Sequence, residues 1–446
     1  MKYLLVIGDG MADDPIPELD GKTPLEYADI PTLDMLAGAG AFGNVKTTPE
    51  GMQAGSDTAI LSIFGYDPRK YYFGRAPLEA AAMGIRLQPG DVAYRCNMVA
   101  VEDGDIPFDE KKILSHSAGA ISGEESDALI LDLFNTPAFK EAAEQAGVKI
   151  YPGSSFRHIA VQTQGDLGVE NIVSSSVVTD GGTPSVCAGK RTLAEETIFS
   201  TPKSPCMKLT PPHDHLNEVL GQYLPCGSDD AKALERLMRL SNEILDNHPL
   251  NNKRRAEGKL PANCIWFWAE GTAALFPSFN EKYGKTGSVI SGVPLCQGIG
   301  MVIGLERILV EGATGDLNTN YEGKVDAAIS ALNNSDFVAV HVEAPDECTH
   351  NGDLKGKLQA IEWVDSRVLA PIMQRLSESG IDYRMLVMSD HRTLLSTRGH
   401  DGGLVPYAIY DSRIDIKTGL KFCESDANRG THAEAGTELM DLLFNG

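Results

Sequence analysis

Five residues late in the chain have the chemistry of metal ligands: Asp346, His350, the adjacent pair Asp390 and His391, and His400. A sixth, Asp9, lies near the N-terminus in the segment VIGDGMAD. Carboxylate oxygen and imidazole nitrogen are the usual ligands of zinc, manganese and iron at exposed catalytic centres. Six such groups suffice for two ions, and two ions held close together most often act on phosphoryl groups. Asp346-x-x-x-His350 sets both side chains one turn apart on one face of a helix. Asp390 and His391 suit one ion only where the backbone turns. His400, in a Gly-rich stretch over residues 398–403, reads equally well as a solvated loop histidine. None of these signals is specific alone; the combination, with each acid at the end of an apolar run, is.

A nucleophile would turn such a centre from hydrolysis towards group transfer. Ser56, in MQAGSDTA over residues 52–59, follows a loop and opens a predicted helix. There it sits among free backbone N–H groups that hold a phosphate, and a nearby divalent cation activates its hydroxyl. An ordinary N-cap serine would occupy the same position, and spacing does not separate the two. Among the basic residues, Arg95, Arg157 and the run Lys253, Arg254 and Arg255 have the fork geometry or charge for carboxylate or phosphate oxygens. The run reads equally well as a solvated helix end. Arg157, beside His158 in SSFRH, is the better ligand candidate. His341 lies within an apolar strand and reads as a satisfied core histidine. His432 is expected to line the pocket without binding metal.

Three apolar runs deliver the acids: residues 3–7 (YLLVI) before Asp9, 337–342 (FVAVHV) before Asp346, and 385–388 (MLVM) before Asp390. Open α/β sheets place their sites at the carboxyl ends of their strands, so these three are predicted to lie side by side. Residues 355–377 carry Leu358, Ile361, Val364, Val368, Leu369, Ile372 and Leu376 at near-helical spacing. Strand-helix-strand order implies a mostly parallel sheet covered by helices. The middle of the chain differs. It has strand-like runs at 92–101 and 156–162, a helix over 229–246 and a Pro-rich stretch over 201–212. No strand there ends in a candidate ligand. This predicts a core from residues 1–90 and 276–446 with a second domain, 91–275, inserted into it.

The 446 residues are 42% hydrophobic and carry a net charge of −23, which argues against a nucleic-acid partner. A small anionic substrate stays compatible, because a cation and a few arginines make a local positive pocket. No run of about 18 apolar residues predicts a membrane span. The N-terminal apolar run reads as a buried strand rather than a signal peptide. The eight cysteines are scattered without a CxxC pair, which predicts free thiols and a cytoplasmic protein.

The segments VIGDGMAD, AGSDTA, YFGRAPLEAAAMGI, DVAYRCN, HSAGAIS, YPGSSFRH, TPPHD, HPLNNKRRAEGKLPAN, PSFNEKYG, GATGDLNTNYEGK, HVEAPDECTHNGD, SDH and GHDGGLVPYAIY follow one another in an order that resembles a known family. It is the archaeal-type, cofactor-independent (2,3-bisphosphoglycerate-independent) phosphoglycerate mutases of the alkaline phosphatase superfamily. The resemblance runs nearly end to end. It implies an alkaline-phosphatase-like three-layer α/β/α core with a mostly parallel sheet, plus a smaller inserted α+β domain. It implies that Ser56 accepts the phosphoryl group, with one ion held by Asp9, Ser56, Asp390 and His391 and another by Asp346, His350 and His400. Manganese, zinc or a similar divalent cation is implied, and no 2,3-bisphosphoglycerate. The substrate is a small phosphorylated molecule, 3-phosphoglycerate, and Arg95, Arg157, His158, Asp214 and Arg255 are carried over as its contacts. Domain closure would keep water from the phosphoserine. One segment departs from the pattern: residues 265–271 read IWFWAEG where such members tend to end a strand in arginine. This is closer to a bacterial branch proposed to act as homoserine kinase, which stands as the alternative function, with a metal-dependent phosphatase as a third.

Overall fold

Residues 4–7 are apolar without alternation, and in the computed structural model each is at most 1% exposed. A strand with both faces buried needs a layer on each side, as in parallel sheets with crossover helices. The structure describes residues 1–88, 90–153, 155–163, 207–272 and 275–446. In chain order its strands are β1 (Lys2–Gly8), β2 (Ala41–Val45), β3 (Val92–Val101), β4 (Ile113–Ser115), β5 (Val148–Tyr151), β6 (Arg157–Gln162), β7 (Cys264–Thr272), β8 (Gly287–Ile290), β9 (Glu306–Ile308), β10 (Phe337–Val342), β11 (Tyr383–Met388), β12 (Arg392–Leu394), β13 (Gly399–Asp401), β14 (Val405–Asp411) and β15 (Thr431–Ala433). The chain folds into two compact units, Met1–Arg86 with Ala274–Gly446, and Leu87–Ala273.

The first unit is built on an eight-stranded sheet in the order β15-β2-β14-β11-β1-β10-β8-β9. Only β14 runs against the rest, pairing antiparallel with both β11 and β2. Thus β1 lies between β10 and β11, parallel to both, with Ile7 level with His341 on one side and Met388 on the other. The three acid-bearing strands are adjacent, as their shared pattern predicts, and their carboxyl ends lie at one level. Helices pack against the sheet, among them Pro294–Val302 on β8, Tyr321–Ala331 on β8 and β10, and Leu439–Asn445 on β11. The helix expected over 355–377 is longer and is broken in type. Leu354–Trp363 and Ala370–Glu378 are α-helical, and Val364–Leu369 between them is a π-helix. Pro371 explains the wide turn, since it has no N–H to donate and its ring crowds the carbonyl four residues back.

In the second unit β3 pairs antiparallel with β4, β6 and β7, and β6 with β5. Tyr94, Cys96 and Met98 alternate into a core shared with Leu234, Leu237, Met238 and Leu245 of the helix Asp229–Leu245. Ser228 caps that helix, its hydroxyl accepting from the Ala231 N–H at 3.1 Å. The Pro-rich stretch lies outside the described residues up to 206. The six described cysteines are free thiols, while Cys187 and Cys206 lie outside the described residues. Among the described residues no helix is long and apolar enough to cross a membrane.

Candidate active site

The helix Ser56–Ile63 begins at Ser56 itself, with Gly55 as its N-cap and no side chain capping it. The serine hydroxyl is therefore not spent on the backbone. It lies 3.2 Å from His391 Nε2 and 3.3 Å from Asp9 Oδ2. Asp9 follows β1, and its N–H continues the ladder by donating to the Val342 carbonyl at 2.9 Å. Asp390 and His391 follow β11, where the backbone turns. Gly10 makes that turn possible on the β1 side. It has φ +62°, and a Cβ there would collide with Thr393 Oγ1 and stand 2.8 Å from Asp346 Oδ1. The Gly10 N–H donates to Asp390 Oδ1 at 3.1 Å. Asp390 Oδ2 and Asp9 Oδ1 are buried with no hydrogen-bond partner, and His391 Nε2 lies 3.4 Å from both. Two orphaned carboxylate oxygens facing an imidazole nitrogen and a serine oxygen are a donor set that fits a divalent cation.

Asp346 and His350 share one face of the helix Ala344–His350, with Oδ2 and Nε2 3.1 Å apart. His400 is not in a flexible loop. It sits on β13 in a two-stranded hairpin with β12, which brings its Nε2 2.9 Å from that of His350 and 3.5 Å from Asp346 Oδ1. His350 Nδ1 lies 2.8 Å from the Arg398 carbonyl and must donate to it, so its Nε2 faces the other ligands. Against the cost of burial, the hydrogen bonds from His350 and His400 hold the Asp346 carboxyl well below the usual carboxylate range. Its hydrogen bond to Asp346 in turn pushes His350 up to about 9. Ligand atoms of Asp346, His350 and His400 lie within 4.8 Å of one another, as do those of Asp9, Asp346 and His391. Asp346 is common to both groups.

Three residues were not singled out for this site by the sequence. His341, read as a satisfied core histidine, is buried, but what satisfies it is Asp9 Oδ2 at 2.9 Å and Ser291 Oγ at 3.0 Å. Glu343 completes a third group with Asp9 and His341 within 4.8 Å, and its buried Oε2 has no hydrogen-bond partner. Thr393 touches both Asp346 and His391. The signal for the first two was the pattern HVEAPD, where polar groups interrupt a buried strand end. His432, expected to line the pocket without binding metal, is on the edge strand β15 with Nδ1 2.7 Å from Asn44 Oδ1.

The remaining candidates fall in the second unit, and the structure separates them. Arg95 stacks over Trp268 at 4.4 Å and Arg157 over Phe156 at 4.2 Å. Between them runs a chain of ring contacts, Trp268 to His213, His213 to His116 and His116 to Phe156, at 5.1, 6.0 and 5.7 Å. Asp214 is exposed beside His213, with Oδ1 3.5 Å from its Nε2. The departure at 265–271 thus has a local role: Trp268 backs Arg95 and donates through Nε1 to Asn97 Oδ1 at 3.1 Å. Arg255 is corrected to a structural clamp. It binds Asp103 and Asp246, including Asp246 Oδ1 and O at 2.6 Å each, so its fork is already filled. Arg254 is not a solvated helix end either; it is 2% exposed and donates to the carbonyls of Leu260 and Ala118.

His158 is corrected in the same way. It is 2% exposed; Nδ1 accepts from the Gly153 N–H at 3.1 Å and Nε2 lies 2.9 Å from Ser126 Oγ. Both nitrogens are occupied by the neutral ring, and burial pushes its pKa down to about 4. The unfolded chain therefore takes up a proton near pH 6.5 that the folded chain refuses until about 4, so stability falls as pH falls through that window. His158→Gln should flatten the acid limb of the unfolding free energy between pH 6.5 and 4 by up to about 3 kcal/mol. Urea titrations at pH 7 and pH 5 measure it, and an unchanged pH slope would refute it.

The sequence profile described as 2,3-bisphosphoglycerate-independent phosphoglycerate mutase matches residues 37–251. The chain is 43% identical over 427 residues to the protein of that name from Methanosarcina acetivorans, an alignment covering 96% of this chain and 95% of the relative. The chain belongs to this family. A second member, from Methanothrix thermoacetophila, is 41% identical across the full length of both chains. Among solved structures, a Pyrococcus horikoshii protein superposes with a TM-score of 0.75 at 27% identity, covering 99% of this chain and 96% of its own. The cofactor-independent phosphoglycerate mutase of Thermoplasma acidophilum shares the fold with a TM-score of 0.60 at 23% identity, covering 99% of both chains. As in the family's name, the resemblance read from the segments holds over the whole length. The homoserine kinase alternative finds no support in these relatives.

Proposed function

We propose that the protein interconverts 3-phosphoglycerate and 2-phosphoglycerate through a phosphoserine on Ser56, without 2,3-bisphosphoglycerate. The observation that carries the reading is Ser56 Oγ. It caps nothing and faces His391 and Asp9 at the joined ends of β1 and β11. The mutase name of relatives above 40% identity supports the substrate. Asp9, Ser56, Asp390 and His391 would hold one divalent cation, and Asp346, His350 and His400 the other. Such ions lower the pKa of the serine hydroxyl and neutralise charge on the phosphoryl oxygens.

The steps conserve phosphorus. Ser56 Oγ attacks the phosphorus of 3-phosphoglycerate, the bond from phosphorus to the 3-oxygen breaks, and that oxygen takes a proton. The 2-hydroxyl of the held glycerate then loses its proton and attacks the phosphoserine, and Ser56 Oγ leaves. We assign the holding of the glycerate to the second unit, through Arg95 and Arg157, each guanidinium backed by an aromatic ring. The planar guanidinium matches the geometry of a carboxylate or phosphate. Arg95→Met is expected to raise KM for 3-phosphoglycerate by roughly tenfold or more, the loss of one charge-assisted contact; an unchanged KM removes Arg95 from the substrate.

The deciding experiment is purified protein with manganese and 3-phosphoglycerate, with no bisphosphoglycerate added. Formation of 2-phosphoglycerate with no free phosphate supports the proposal. Free phosphate in place of 2-phosphoglycerate makes the protein a phosphatase and overturns it.

A further inference from the structure

Thr393 sits on β12 with its residue fully buried. Its hydroxyl oxygen is 2.6 Å from Asp346 Oδ1 and 3.1 Å from His391 Nδ1. A hydroxyl has one hydrogen, and an ionised carboxylate only accepts. The hydrogen therefore goes to Asp346, and the second contact runs the other way, with His391 Nδ1–H donating to Thr393 Oγ1. This fixes the tautomer of His391. Its lone pair is on Nε2, the nitrogen 3.2 Å from Ser56 Oγ and 3.4 Å from Asp9 Oδ1. One hydroxyl thus orients His391 of the first proposed ligand set and Asp346 of the second.

The surroundings hold that hydroxyl still. In the β12–β13 hairpin Thr393 is directly opposite His400, another member of the second set. The Thr393 N–H donates to the Ala12 carbonyl at 3.1 Å, and its own carbonyl accepts from Lys357 Nζ at 2.7 Å. Lys357 is fully buried and also donates to Asp13 Oδ2 at 2.7 Å, so the threonine backbone is held at both its N–H and its carbonyl. A β-branched side chain has few χ1 choices, so the backbone position sets the position of Oγ1. The same crowding is what bars any side chain at Gly10, whose Cβ would run into Oγ1.

We propose that Thr393 is a positioning residue that ties the two cation positions together, orienting one ligand of each. The inference rests on the two-ion reading above. Energy lost at the shared hydroxyl is lost at both positions, and binding at either favours the arrangement that the other needs.

The test is calorimetric titration of Mn2+ into the chelator-stripped full-length protein, for wild type, Thr393→Val, Thr393→Ala and Thr393→Ser. Thermal unfolding of each metal-free variant is recorded alongside. Wild type is expected to take up two ions. Thr393→Val and Thr393→Ala should bind both about 10- to 100-fold more weakly, the usual cost of losing an outer hydrogen bond to a ligand. Thr393→Ser, which keeps the hydroxyl, should recover binding to within a few-fold. The optical spectrum of Co2+ substituted at both positions should change in Thr393→Val and return in Thr393→Ser, a readout that mere loss of stability does not move. Two ions bound by Thr393→Val and Thr393→Ala at wild-type strength overturn the inference. So does weakening at one position only, or a serine variant no better than valine. Wild type that takes up no divalent ion overturns the two-ion reading itself, and this inference with it.

Discussion

Ser56→Ala is expected to abolish phosphoryl transfer, lowering kcat by roughly 10⁴-fold or more, the scale seen when a nucleophile acting as part of a unit is removed. The loss should be chemical and not structural. Ser56 Oγ contacts Asp9 and His391 but caps no helix, so its removal leaves the helix Ser56–Ile63 without a broken backbone contact. The variant should unfold within about 1 kcal/mol of wild type, as ordinary substitutions do. Incubation with 3-phosphoglycerate and manganese should add a phosphoryl mass to the wild-type chain and none to the variant. Turnover that survives the substitution would show that another group accepts the phosphate.

Removing the cations should have the second-largest effect, on activity and stability together. Asp9, Asp346 and Asp390 are each at most 3% exposed, and Glu343 Oε2 is buried beside them. Burial, and then the charges of Asp390, Glu343 and Asp346, push the Asp9 carboxyl well above its ordinary value. Burial, and then Asp346, push Glu343 up to about 7. Without ions, Asp9 and Glu343 hold protons in the folded chain that the unfolded chain has already released. In the metal-free protein the Glu343 contribution should therefore fall as pH rises from 4.5 to 7, by up to about 3 kcal/mol, against the opposite slope from His158. Chelation should bring turnover to background. Manganese at about 1,000 times its dissociation constant should return about 4 kcal/mol per ion and cancel most of the pH slope. Thermal scans at pH 5 and pH 7.5, with and without chelator, measure both. A pH slope that is the same with and without chelator would refute the charge argument.

What could be read from the sequence was whatever a strand end announces locally. Asp9, Asp346, Asp390 and His391 each follow an apolar run, and the structure sets those runs side by side with their ends level. Ser56 was legible as a helix start, but its freedom from capping was not, because that depends on Gly55 taking the cap. Thr393 and His341 were illegible for a different reason. Their partners are 47 and 332 residues away, and only the folded register chooses between a core residue and a site residue. Arg255 and His158 went wrong through the same gap. A basic or imidazole group in a plausible segment looks available until its acids, Asp103 and Asp246, or its hydroxyl, Ser126, are seen to occupy it. The π-turn over Val364–Leu369 was within reach, since Pro371 stands in plain view inside the helical pattern.

The central place of β1 has a consequence for how the chain is made. Its neighbours on both sides, β10 and β11, leave the ribosome more than 300 residues after it, and the last of their residues is Met388. At about 5 to 20 residues per second, the apolar segment at residues 4–7 waits roughly 20 to 80 seconds for the strands that will cover its edges. The second unit, continuous over Leu87–Ala273, is complete well before then. The nascent chain therefore carries an unpaired, sticky beginning for most of its synthesis, joined by a complete second unit once Ala273 has been added. Ribosome-bound chaperones should be found on its first strand, and the site cannot assemble until translation is nearly over.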